Sequence, residues 1–382
     1  MQDKFNNFTE FWEEKEQEAL LLLKRLVEIN SHSKNISGIE RCLEIFSREI
    51  PALFEIERRE GILLCGSPKG KSSGYVLLMG HMDTVFPSTT SFTDLVIQGD
   101  RIRGPGVYDM KGGLVIALYA LKYLEFIGKL SSLPVVFMIN SDEEIGSPSS
   151  KKTIMEYGKD ALCGLVFEGG GINGEIVSGR KGKLGYKICT YGRAGHAGFV
   201  VKDKASAILE MAYKVMEIEG LNSPGDGVCV NVGRIEGGVA PNIVPDRCEI
   251  AVDIRFAQSF QMESLRRRIG EMVSTCRVKG VRSEAVEVSS RPCMEREKNQ
   301  ELCNLAREVA LSLGQDISCE MRGGVSDANF ISHVGTPVID GLGPVGGEDH
   351  SEREYIYAAS IPLRVHLTAE LILACCDFFQ RQ

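Results

Sequence analysis

Three short apolar runs constrain this chain most: residues 75–79 (Tyr-Val-Leu-Leu-Met), 133–139 (Leu-Pro-Val-Val-Phe-Met-Ile) and 162–167 (Leu-Cys-Gly-Leu-Val-Phe), bounded by Gly, Pro and Asp. Runs this short and this continuously apolar fit strands buried on both faces, as in a mostly parallel sheet. Helical spacing surrounds them: 9–29, where Phe11, Leu20, Leu22, Leu23, Leu26 and Val27 recur, then 38–49 and 110–126. Strands alternating with helices predict a layered α/β domain. The middle of the chain reads differently. Residues 183–192 alternate as a strand, 203–219 are helical, 228–235 and 248–256 alternate again, 260–276 are helical and 285–288 form a short strand. That β-α-β-β-α-β order is the split ferredoxin-like unit. The layered pattern returns with a helix at 298–313, a strand near 337–340 and a last helix at 360–380. The expected organisation is therefore a discontinuous domain, 1–178 and 292–382, interrupted by an inserted domain at 179–291.

Composition narrows the function. Hydrophobic residues at 43% and charged residues at 25% are ordinary for a globular protein, which excludes general disorder. A net charge of −8, with no Lys/Arg run longer than three, argues against a nucleic-acid partner. Residues 1–15 carry no apolar leader, and no apolar stretch of about 18 residues exists, so neither export nor a membrane partner is expected. The twelve cysteines contain no C-x-x-C pair; Cys42, Cys163, Cys189 and Cys303 lie in apolar segments, and Cys375-Cys376 sit on a helix. They read as reduced packing residues of a cytoplasmic protein.

In open α/β sheets, ligands bind beyond the carboxyl ends of the strands. Gly80-His81-Met82-Asp83-Thr84 follows the first run, Asn140-Ser141-Asp142-Glu143-Glu144-Ile145-Gly146 the second and Glu168-Gly169-Gly170 the third. Gly346-Gly347-Glu348-Asp349-His350 follows the strand near 337–340, and Asp109-Met110-Lys111-Gly112-Gly113 opens the helix at 110–126. Each alone has a plainer reading. His81-Met82-Asp83 fits an Asx turn, Asp142-Glu143-Glu144 a solvated acidic loop, Asp109 a helix N-cap and Glu168 a turn beside three glycines. Together they crowd one sheet edge with acid that no nearby Lys or Arg run offsets, as a pair of bound cations would require. Two His and three carboxylates suit a borderline-hard divalent ion such as zinc. Gly341-Leu342-Gly343-Pro344-Val345-Gly346 matches G-x-G-x-x-G, but acidic residues follow where a dinucleotide phosphate needs a helix N-terminus, which weighs against a dehydrogenase.

The stretches Gly80-His81-Met82-Asp83-Thr84-Val85, Gly104-Pro105-Gly106-Val107-Tyr108-Asp109-Met110-Lys111-Gly112-Gly113 and Asp142-Glu143-Glu144-Ile145-Gly146-Ser147 resemble the di-zinc aminoacylase/carboxypeptidase family of metallopeptidases. That family includes glutamate carboxypeptidase, acetylornithine deacetylase and succinyl-diaminopimelate desuccinylase. The likeness spans nearly the whole chain. It implies a three-layer, zinc-exopeptidase-like catalytic domain with an inserted ferredoxin-like lid that also dimerises. By resemblance, His81 and Glu168 hold one ion, Glu144 and His350 the other, and Asp109 bridges them. Both ions are expected to be zinc, with cobalt or manganese as substitutes. Glu143 resembles the general base, and Asp83 the residue that orients His81. The family's cis peptide falls at Asp109-Met110, which the sequence leaves open. Gly192-Arg193-Ala194-Gly195-His196 resembles the lid segment whose histidine stabilises the oxyanion, a solvated turn being its plainer reading. Asn242, Arg255, Gly323 and Gly324 resemble substrate-binding positions. Arg255 fits a carboxylate by its bidentate fork, or equally a structural ion pair.

The reaction so implied is amide hydrolysis by a metal-bridging hydroxide with Glu143 as base. It would release a C-terminal amino acid, glutamate foremost, from a small peptide or N-acyl amino acid. Acetylornithine deacetylase-like, desuccinylase-like and dipeptidase activities remain open, because pocket shape separates them rather than ligands. A metal- or peptide-binding module without catalysis is the rival from another class. The filled ligand set and Glu143 weigh against it.

Overall fold

The structure is a computed structural model, and it describes residues 2–59, 61–67, 74–199 and 203–379. The chain divides into two compact units. The first comprises Met1–Gly179, Arg296–Arg322 and Ser326–Gln382; the second comprises Arg180–Glu295 with Gly323–Val325.

The first unit is built on a six-stranded sheet in the order Glu55–Arg59, Ile62–Gly66, Val135–Asn140, Tyr75–His81, Ala161–Val166, Val338–Ile339. Tyr75–His81 runs parallel to both its neighbours, and Val338–Ile339 parallel to Ala161–Val166. The hairpin at the other edge is antiparallel. Tyr75–His81 and Val135–Asn140 are buried at every residue, which explains their lack of apolar alternation. Alternate side chains still serve different faces. Val76, Leu78, Phe137 and Ile139 join the core formed with helices Gln2–Val27, Gly112–Phe126 and Ser360–Phe379. Leu77, Met79, Val136 and Met138 are equally buried but lie outside that core. On the Ala161–Val166 strand, a Cβ at Gly164 would meet Ile331 of the short helix Ala328–His333. Gly112–Phe126 is buried on nearly every face, as its continuous apolar sequence requires.

The second unit has a four-stranded antiparallel sheet in the order Cys229–Gly237, Arg247–Phe256, Gly182–Tyr191, Arg282–Arg291. Helices Ala207–Glu219 and Ser259–Ser274 supply Met211, Ile218, Leu265 and Ile269 to its core, against Leu184, Ile188, Ile250 and Ile254. The first helix starts at Ala207 rather than 203 because the Ser206 side chain caps it, accepting from Leu209 N.

Sequence periodicity missed the charged edge strand Glu55–Arg59, the helix Lys151–Asp160 and a small sheet of Val96–Gln98, Arg101–Arg103, Gly346–Gly347 and Tyr355–Tyr357. These segments are too short, too exposed or too polar to show an apolar period. The final helix is Ser360–Phe379; residue 380, included in the sequence expectation, lies outside the described residues.

One cysteine expectation is corrected. Cys303 and Cys319 form a disulfide, so the thiols are not all reduced packing residues. Helix Gln300–Ser312 turns back beside strand Cys319–Arg322 and brings their Cα atoms to 6.5 Å, within disulfide reach. Cys229 is exposed rather than packed. Among the described residues, no helix is long and apolar enough to cross a membrane.

Close packing at the sheet's carboxyl edge gives a test. A Cβ at Gly113 would lie 1.9 Å from the Phe167 carbonyl oxygen. In an open helix, Gly113→Ala would add about 1 kcal/mol of stability. Here the clash reverses the sign, and a loss of about 1–3 kcal/mol is expected by urea denaturation. A stabilised variant would contradict this packing.

Candidate active site

Five metal-competent side chains gather at the carboxyl edge of the parallel strands. His81 is the last residue of its strand, Glu168 lies just past Ala161–Val166, and Glu144 sits in the single 3₁₀ turn Glu143–Ile145 that follows Val135–Asn140. Asp109 comes from the turn Val107–Lys111 ahead of the Gly112–Phe126 helix, and the Asp109-Met110 peptide bond is cis. His350 comes from the loop between Gly346–Gly347 and Tyr355–Tyr357, with a left-handed backbone (φ 58°) that few non-glycine residues adopt.

Asp109 sits at the centre. Its Oδ1 lies 3.0 Å from His81 Nε2, and its Oδ2 lies 3.2 Å from His350 Nε2. Each imidazole has a second carboxylate: Glu168 Oε1 is 3.6 Å from His81 Nε2, and Glu144 Oε2 is 3.3 Å from His350 Nε2. His81 is buried, whereas the His350 side chain is about half exposed (54%) and so leaves the site open on that side.

The charge balance is unfavourable without a cation. Burial and the Asp109 charge push Glu168 up to about 7, and the same two causes raise Glu144. Burial works against the His81 imidazolium, but Glu168, Asp109 and Asp83 outweigh it and hold its pKa well above the ordinary value. Hydrogen bonds to Asp109 and Glu144 take His350 up to about 11. Burial opposes the Asp109 carboxylate, yet the two histidines hold it below the usual range.

Asp83 ties two parts of this edge together. It is wholly buried. Its carboxylate accepts from Ser33 Oγ (2.7 Å), Glu143 N (3.1 Å) and Glu144 N (3.2 Å), and lies 3.4 Å from His81 Nδ1. The closest oxygen to that ring nitrogen is the Asp83 carbonyl, at 3.0 Å. With Nδ1 so engaged, Nε2 faces the cluster. Glu143 is half-buried beside Glu144, its backbone held by this same carboxylate.

The donor set fits divalent metal. Glu144 Oε1 is buried with no hydrogen-bond partner among the described residues, an arrangement that costs free energy unless a cation faces it. His81, Asp109 and Glu144 present ligand atoms within 4.8 Å of one another, and so do Asp109, Asp349 and His350. Imidazole with carboxylate oxygen suits zinc and its neighbours.

The remaining sequence-derived positions belong to the second unit. His196 is exposed; its strand Gly195–His196 pairs with Ile243–Val244, and Asn242 O accepts from Ala197 N at 2.9 Å, so His196 and Asn242 are neighbours. Arg255 Nη1 donates to Gly323 O (3.3 Å), and Arg180 Nη1 donates to Gly324 O (3.2 Å). Asp253 engages the Arg255 fork, at 2.7 Å from Nε and 3.2 Å from Nη2. Sequence reasoning did not single out Ser33, Asp349 or Glu354. Asp349 lies within the His350 motif and Glu354 just beyond it, but only their contacts reveal what they touch.

Comparison with known proteins agrees with this chemistry. The model for Peptidase family M20/M25/M40 matches residues 77–374. The chain is 28% identical over 371 residues to carboxypeptidase G2 of Pseudomonas sp. (strain RS-16), covering 94% of this chain and 89% of that one. It superposes on a tripeptidase from Staphylococcus aureus with a TM-score of 0.78 at 23% identity, covering 96% and 99% of the two chains. A dinuclear metal-binding peptidase from Bacillus subtilis gives a TM-score of 0.64 at 16% identity, covering 94% and 98%.

Because metal must displace protons from these ligands, affinity depends on pH. Burial and the Asp109 charge push Glu168 up to about 7, and the neighbouring carboxylates hold both histidines above the ordinary imidazole value. Zinc or cobalt titrations are expected to show proton release and weaker binding at about pH 6 than at about pH 8. Equal affinity at both would contradict the ligand assignment.

Proposed function

The chain belongs to Peptidase family M20/M25/M40 and is a metal-dependent hydrolase of amide bonds; from that premise, we propose that it removes a C-terminal amino acid, glutamate foremost, from small peptides or N-acyl amino acids. The observation that carries the reading is the Asp109 carboxylate, whose two oxygens face two histidines that each have a carboxylate of their own. The release of a terminal amino acid is supported by the carboxypeptidase relative that aligns along almost the whole chain.

His81 and Glu168 would hold one ion, Glu144 and His350 the other, and Asp109 both, with zinc as the favoured metal. Two such ions supply the Lewis acidity that polarises an amide carbonyl and activates water. Glu143 takes the proton from the attacking water and delivers it to the leaving amine. Its place is supported by the pinned Glu143–Ile145 turn, where adjacent residues differ in direction, so Glu144 ligates while Glu143 faces substrate. His196 donates to the developing oxyanion, with Asn242 beside it. Arg255 grips the substrate's free carboxylate next to Gly323 and Gly324. Since Asp253 already engages the guanidinium, the substrate carboxylate takes that partner's place. Residues 179–291 act as the lid and as the contact between two copies. Exposed Ile208, Met216, Ile235 and Val239 of that unit support a dimer.

Two measurements test this reading. Glu143→Gln is expected to lower turnover by about 10²–10⁴-fold with metal content unchanged; near-normal turnover would overturn the assignment of the base. Substrates amidated at the C-terminal carboxylate are expected to be poor, raising KM more than they lower kcat; equal rates on acid and amide forms would exclude a carboxylate grip.

A further inference from the structure

The central ligand, Asp109, is held by unusual backbone. The Val107–Lys111 turn has non-helical dihedrals at Asp109 (φ −120°, ψ 92°) and Met110 (φ −134°, ψ 34°), so a regular helical ladder does not position it. One side chain accepts three amides of this segment instead. Glu354 Oε1 accepts from Tyr108 N at 2.8 Å and Asp109 N at 3.0 Å, and Oε2 accepts from Gly106 N at 3.1 Å. The Glu354 side chain is fully buried.

Its own anchorage is firm. The next residue begins Tyr355–Tyr357, which pairs with Arg101–Arg103, the strand leading into the same 104–109 segment. Glu354 also closes the loop that carries His350. At the far end of the turn, the buried Lys111 Nζ donates to Leu26 O (2.8 Å) and Ile29 O (3.1 Å). The Asp109 backbone is thus held between two buried ionisable side chains, Glu354 at one end of the turn and Lys111 at the other.

We propose that Glu354 is a positioning residue: by holding the Gly106, Tyr108 and Asp109 amides, it places the Asp109 carboxylate between His81 and His350 and so sets the affinity for the divalent metal pair. The inference rests on Asp109 being the ligand shared by both ions. A carboxyl group whose two oxygens gather three amides fixes the directions of those amides relative to one another. Without it, three amides lose their acceptor and the turn is free to shift its carboxylate.

The test uses the full chain, stripped of metal and titrated with zinc or cobalt(II). In Glu354→Gln, one oxygen can still accept from Tyr108 N and Asp109 N, but the new amide group would face Gly106 N donor to donor. In Glu354→Ala, all three acceptors are lost. Metal affinity is expected to fall by about 10–100-fold in Glu354→Gln and further in Glu354→Ala. In Glu354→Gln, kcat is expected to fall while KM stays within about twofold, and the metal-free variant to melt within about 3 °C of the metal-free wild type. Wild-type affinity in Glu354→Gln overturns the proposal. So does a melting temperature of the metal-free variant that drops in step with affinity, because Glu354 would then only support the fold. The titration reads no turnover, so failure of the Glu143 mechanism and failure of this proposal are separately visible.

Discussion

Buried like charge at the carboxyl edge of the parallel strands governs this protein. Asp109, Glu144 and Glu168 converge there, and burial works against the ionised form of each. Among the described residues, the basic groups paired with them are His81 and His350. Even with both imidazoles protonated, two positive charges face three carboxylates, and a ligating imidazole carries no charge at all. The site therefore stores an electrostatic demand that divalent cations meet. In keeping with that demand, Glu144 Oε1 has no hydrogen-bond partner among the described residues.

The surrounding structure resists that repulsion with buried hydrogen bonds. Asp83 joins the His81 strand to the Glu143–Ile145 turn, and Ser33 holds Asp83 from a third segment. Asn140, at the end of its strand, donates to Asp327 (2.7 Å) and Ser150 (2.9 Å), while Asp142 accepts from Ser149 N (2.7 Å). Glu354 and Lys111 hold the Asp109 turn. Each of these groups costs free energy to bury and recovers it through several partners, so the network favours one geometry over nearby alternatives.

What could be read before folding follows from where chemistry sits relative to apolar strands. His81, Glu144 and Glu168 each follow a run whose burial on both faces leaves a continuous apolar signal. Asp109 and His350 carried recognisable flanking motifs. Glu354 and Ser33 carried no such signal, because their partners lie far away in sequence and an isolated Glu or Ser looks like a surface residue. The Cys303–Cys319 disulfide was equally silent, since its pairing depends on a helix folding back beside a strand. The Arg255 fork left two readings open, and the structure adds that Asp253 occupies it.

The amino-acid sequence by itself determined the alternation of buried strands and helices, the second unit's element order and the types of side chain at the sheet's carboxyl edge. These follow from local periodicity and from the direction of parallel strands, which send every strand-end residue to one side. Tertiary structure decided which oxygens face which imidazoles, that the Asp109-Met110 bond is cis, and that one buried glutamate holds the backbone of the central ligand. Those features depend on distances between segments remote in the chain, which only the packed fold sets.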